Sequence, residues 1–135
     1  MGYELILKQL RHIINLLNKT LEKLDEITRP KSRNVAWRLL FPYGEFQGQK
    51  TSAKEASAIM LDVQARMDDM VQTLRKRSHP LFDRINMLNS LDLREMGEQL
   101  IDLPQRARYM GEQIEQYGIS IKEFIQELEK TESSS

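Results

Sequence analysis

The chain has no cysteine, which excludes a disulfide framework, thiolate metal sites and thiol catalysis. That fits a reducing compartment, and a cytoplasmic protein is expected. Histidine is almost as scarce: His12 and His79 are the only two. Neither sign of charge is in excess, with 20 basic and 20 acidic residues, so bulk electrostatics select neither nucleic acid nor an acidic partner. Long hydrophobic runs are missing too, and nothing approaches the roughly 20 apolar residues of a membrane span. Glu4, Lys8, Arg11 and His12 interrupt the apolar patches between Met1 and Leu17, and no small-residue cleavage site follows. A signal peptide is therefore not expected. Gly2 follows Met1, but position 6 is Ile6 rather than Ser or Thr, which argues against myristoylation.

Glycine and proline are sparse, at six and four residues in 135, and the long stretches between them carry helical periodicity. Tyr3, Leu7, Leu10, Ile14, Leu17, Leu21 and Leu24 alternate four and three apart, with Ile6, Ile13 and Ile27 widening the stripe. This predicts a first helix over Tyr3 to Thr28. Arg29-Pro30 ends it, because proline disfavours α geometry in the residue before it. A second helix is expected to start at Thr51 or Ser52, with Ser52 and Glu55 at capping-box spacing. Its seam is Ala53, Ala56, Met60, Val63, Met67, Met70 and Leu74, small at first and methionine-rich later. Arg75, Lys76 and Arg77 suit the negative end of the helix dipole, and Ser78-His79-Pro80 stops the helix. Leu81, Phe82, Ile85 and Leu88 form a short stripe of their own, after which Asn89 or Ser90 can cap a fresh helix.

The C-terminal third contains a repeat. Met96-Gly97-Glu98-Gln99-Leu100 returns fourteen residues later as Met110-Gly111-Glu112-Gln113-Ile114. Fourteen residues are two heptads, so both copies present the same helical face. The seam around them runs through Leu93, Met96, Leu100, Leu103, Ala107, Met110, Ile114, Tyr117, Ile121, Phe124 and Leu128. Pro104 interrupts it, and an interior proline costs about 3 kcal/mol. The seam keeps its phase across Pro104, which favours a kink. The lengths on either side favour two helices, while the lack of Gly or Asn beside the proline speaks against a tight reversal. Gly97, Pro104, Gly111 and Gly118 fall seven apart. Each interior glycine costs about 0.5–1 kcal/mol relative to alanine, a cost that close approach of another backbone or a partner helix offsets. The alternative is that these positions are local breaks or solvent-facing sites.

The expected architecture is all-α: an elongated antiparallel bundle of three long helices, the last kinked or divided near Pro104, making three or four helices in all. One domain is expected over residues 1–130, followed by a frayed polar tail over 131–135.

Catalysis is not expected. The seams contain no ionisable carboxylate, amine, guanidinium or imidazole, and no Glu-x-x-His, His-Glu-x-x-His, phosphate loop or Gly-x-Ser-x-Gly occurs. No cofactor or metal is implied. His12, beside an apolar helical face, reads as a partly buried structural residue, and His79 as a cap or solvated turn. Adjacent carboxylates such as Asp68-Asp69 diverge by about 100° on a helix and do not converge on one site. The methionines at helical spacing read mainly as core.

The connecting segment 30–50 holds four of the nine aromatic residues and, with Arg29, five basic residues against the single acid Glu45. Long connections are often functional. Trp, Tyr and Arg are enriched in binding hot spots, so Arg33, Trp37, Arg38, Phe41 and Tyr43 form a candidate partner surface. The glycine-marked face of Gly97, Gly111 and Gly118 is the other. The simpler reading of the segment seats Trp37, Leu40 and Phe41 as a plug at one end of the bundle.

The function expected is a non-catalytic interaction protein, an adaptor, chaperone-like or assembly subunit, whose partner is another helical protein or a second copy of itself. A lipid-surface binder using Arg33, Trp37, Arg38 and Phe41 is the first alternative. A nucleic-acid accessory subunit using Arg29 to Arg38 and Arg75 to Arg77, with Arg84, is the second, and neutral net charge counts against it.

Overall fold

A computed structural model describes the backbone of residues 3–28, 44–88 and 91–134. The described residues form α1 (Glu4–Thr28), α2 (Gly44–Lys76), a short α3 (Phe82–Asn86), α4 (Leu91–Asp102), a 3-10 turn (Pro104–Arg106) and α5 (Ala107–Ser134). Among them there is no strand. The chain is an all-α helical bundle.

Antiparallel packing of α1 and α2 is fixed by pairs at both ends. Ser52 donates to Glu26 Oε2 at 2.8 Å and Lys23 reaches Glu55 at 2.7 Å, while at the opposite end the Tyr3 ring lies 6.1 Å from that of His79. On its other side α1 runs antiparallel to α5. A Cβ on Gly111 would lie 3.9 Å from Leu24, one on Gly118 would lie 3.9 Å from Leu17, and Arg11 pairs with Glu129 at 2.6 Å. The α4 helix lies along α2, with Gly97 against Ser57 and Met60. The four longer helices thus go up, down, up and down around one core.

Pro104 divides the chain and reverses it. Leu103 leaves helical geometry at φ −129° and ψ 66°, as the steric demand of the following proline requires. Pro104 then opens the 3-10 turn, a position where its missing N–H costs nothing. The kink favoured by phase is corrected to a turn. The reversal needs no glycine, since Ser78 is the one non-glycine residue at positive φ among the described residues and no glycine has positive φ there.

All seven residues of the α2 seam are buried, together with Leu7, Leu10, Leu17 and Leu24 of α1. Ile6, Ile13 and Ile27 are buried as well, deeper than Ile14 or Leu21. Thr20 shares this core with its hydroxyl satisfied by the Leu16 carbonyl at 3.0 Å.

Four local expectations are corrected. The second helix begins at Gly44, so Ser52 is no cap: it sits one or more turns inside the helix and its hydroxyl bonds α1. The last helix continues to Ser134, because Thr131-Glu132-Ser133 contains no helix breaker and Thr131 donates back to the Glu127 carbonyl. His12 is exposed rather than partly buried. Met87 is 79 % exposed, whereas Met60, Met67, Met70 and Met110 are core. The α2 stop is a Schellman closure: His79 N–H donates to Leu74, Ser78 N–H donates to Arg75, and Ser78 is left-handed at φ 50°.

Candidate interaction surface

The core of the described residues contains no charged side chain: its buried polar members are Thr20, Ser52 and Ser57. Among the described residues no three His, Asp or Glu side chains are grouped to hold a metal. Nor is any described helix long and apolar enough to cross a membrane. His79 is engaged locally, its Nδ1 accepting the Leu81 N–H at 3.1 Å. Asp68 and Asp69 are exposed on α2, as adjacent helical residues pointing apart.

Of the residues singled out from the sequence, Arg33, Trp37, Arg38, Phe41 and Tyr43 lie outside the described residues, as does the plug formed by Trp37, Leu40 and Phe41. The three glycines are described, and the structure spreads them over two helix pairs. Gly97 is buried where α4 crosses α2, and a Cβ there would stand 3.3 Å from Ser57 Oγ and 3.4 Å from the Ser57 carbonyl oxygen. Gly118 is buried against α1 and Gly111 is half-buried on the same side. Their close approaches are to helices of this chain. In the second basic patch, Arg84 is paired with Glu127 at 2.5 Å and lies over the Phe124 ring, so it adds little net charge beside Arg75 and Lys76.

Two grooves flank α5. One, of about 710 Å³, runs between α1 and α5 past Gly111, and its rim carries Glu22, Asp25, Glu112 and Glu115 around Arg108. The other, of about 540 Å³, separates α4 from α5. This second groove exists because the two arms joined at Pro104 stand apart, with far fewer close approaches than any other neighbouring pair of long helices. Leu93 and Met96 of α4 and Tyr117 of α5 form its lower walls. Higher up lie Gln99 on α4 and Tyr109, Gln113, Gln116 and Ser120 on α5.

That wall of α5 is unusual for this chain. Charged residues make up 30 % of the sequence, yet Tyr109, Gln113, Gln116, Tyr117 and Ser120 form a face without one. Spacings of four, three and four place Tyr109, Gln113, Gln116 and Ser120 on one side of a helix. Of the groove's lining, the apolar periodicity marks Leu88, Leu93, Met96 and Tyr117, all as packing positions, and none of the polar residues of the wall. The available signal was the missing charge along an exposed stripe rather than any apolar pattern. Arg106 and Glu95 mark the rims, and Arg106 donates to Gln99 Oε1 at 3.0 Å while its guanidinium lies 5.5 Å from the Tyr109 ring.

Tyr117 carries the only buried side-chain polar atom without a hydrogen-bond partner among the described residues, its hydroxyl. Burial pushes its pKa above the ordinary 10.0 by penalising the phenolate. A stranded hydroxyl is a cost, so Tyr117→Phe is expected to stabilise the fold by about 1 kcal/mol. The folded pKa is raised, so the tyrosine's protonation-linked stability is complete below about pH 10 and is lost as pH rises beyond it. Phenylalanine has no such loss, and the margin of the variant should widen at pH 10.5. Urea unfolding at pH 7 and pH 10.5 measures this, and a variant weaker than its parent at pH 7 would show that the hydroxyl has a partner.

No known protein family, curated protein or solved structure matches this chain.

Proposed function

We propose that this chain is a non-catalytic interaction protein, and that the face between α4 and α5 receives another protein. The observation that carries the reading is the charge-free wall of α5 beside the groove between the described helices α4 and α5. Interface centres are depleted in charged residues and enriched in Tyr and Met, and this surface has that composition. Its setting supports the same reading. The wall is built on a 28-residue helix clamped by α1, so its side chains are held on a rigid element.

The test uses a photoreactive amino acid at Gln113, in the groove, and a control at Gln72, on the exposed face of α2. Covalent adducts with a discrete protein are expected from position 113 and not from 72, and Tyr109→Glu, at a groove residue 53 % exposed, should suppress them while leaving the melting temperature within a few degrees. Adduct mass separates a distinct partner from a second copy of this chain. Equal labelling from both positions, or none from 113, would remove the reading.

A further inference from the structure

The groove's polar groups identify the form of chain it takes. Gln99, Gln113 and Gln116 bring three primary carboxamides to one groove. Each carboxamide carries the same donor and acceptor as a peptide group. Gln99 is oriented by Arg106, which occupies its oxygen and leaves its NH2 to donate. Among the described residues the side chains of Gln113 and Gln116 make no hydrogen bond, and both are exposed. An α-helical occupant has its main-chain groups satisfied internally, so its apolar face would cover these amides without pairing them. Each amide left buried and unpaired costs about 1–3 kcal/mol. An extended chain instead brings unpaired N–H and C=O groups to them.

Length and charge narrow the occupant further. From Tyr109 to Ser120 the wall is about 16 Å long at the rise of an α-helix. Extended chain advances about 3.3 Å per residue, so the wall accommodates about five residues. A charged side chain in the middle would be desolvated with no counter-ion on the α5 wall. Alternate side chains of an uncharged segment would rest on the half-buried Leu88, Met96 and Tyr117 of the lining. We infer that the groove between α4 and α5 binds an extended, uncharged peptide segment of about five residues, paired through its main chain with Gln99, Gln113 and Gln116. The inference rests on reading this face as a protein-interaction surface.

The full chain, labelled with 15N, is titrated with three probes. The first is a pool of N-acetylated, C-amidated hexapeptides of Val, Leu, Thr, Ser and Asn. The second is the same pool with N-methylated main chains, and the third is a set of stapled helical peptides of matched composition. Only the first is expected to shift the side-chain amide signals of Gln99, Gln113 and Gln116. Gln113→Leu with Gln116→Leu should weaken that binding at least tenfold without lowering Tm. Binding that survives N-methylation or the double substitution, or that is confined to the helical set, overturns the inference and leaves the interaction reading in place. Absence of any shift in the groove from all three probes also overturns the inference, and site-specific adducts at position 113 then decide whether the wider reading stands.

Discussion

Replacing Gly97 with leucine is expected to lower the stability of the fold by about 3 kcal/mol, a fall of roughly 10 °C in Tm. The reason lies in what faces it. A Cβ at Gly97 would meet Ser57 Oγ at 3.3 Å, the Ser57 carbonyl oxygen at 3.4 Å and Met60 Cβ at 3.6 Å. The hydroxyl can rotate away, but the carbonyl belongs to the interior of α2 and cannot. A branched side chain must therefore push α4 off α2, opening the contact that orders the third arm. Gly118 is the control. It is equally buried, yet a Cβ there would meet only Leu17 Cδ1 at 3.9 Å, an ordinary contact. Gly118→Ala should therefore keep the gain in helix propensity, about 0.5–1 kcal/mol, and melt higher than the parent. Parallel chemical and thermal unfolding of the two variants measures the difference. If Gly97→Leu melts with the parent, α4 does not pack on α2 through this residue.

The same glycines show where sequence reading succeeds and where it stops. Their spacing in multiples of seven announces close approach, and for Gly97 close approach is what the structure contains. Spacing does not say which backbone approaches, because helices of the same chain and of a partner present identical surfaces. The seams were legible for a similar reason: Ala53, Met60, Met67 and Leu74 are buried wherever the neighbours come from, since a seven-residue apolar repeat must face other helices. The turn at Pro104 was not. Both arms of an antiparallel pair face one core, so the seam of Leu93, Leu100, Ala107 and Ile114 stays in phase whether the chain continues or reverses. The geometry of Leu103 decides between them: it leaves the α region that the following proline disfavours, at φ −129° and ψ 66°, with no glycine to announce it. The groove between α4 and α5 was illegible because nothing in one helix records how far it stands from the next.

Ile114→Ala is expected to cost about 3 kcal/mol, against about 1 kcal/mol or less for the partly exposed Ile119→Ala. The two residues are five apart on α5, and the sequence offers the same side chain at both. Ile114 is fully buried among the bundle helices, whereas Ile119 remains 40 % exposed. Truncating the first leaves a cavity that the surrounding seams cannot close without moving α1 or α4, and the lost transfer energy adds to the cost of that void. Truncating the second removes a side chain already partly in water and leaves no enclosed void. The ratio matters more than either value, because it fixes the rotation of α5 about its axis. Gln113 lies one residue before Ile114 and Gln116 two after it, and the groove lies where it does only if Ile114 points inward. Equal losses at positions 114 and 119 would mean that α5 is rotated, that Tyr109, Gln113, Gln116 and Ser120 do not share a wall facing α4, and that the interaction face must be sought elsewhere on the bundle. Urea unfolding of both variants, with the denaturant slope held constant, supplies the ratio directly.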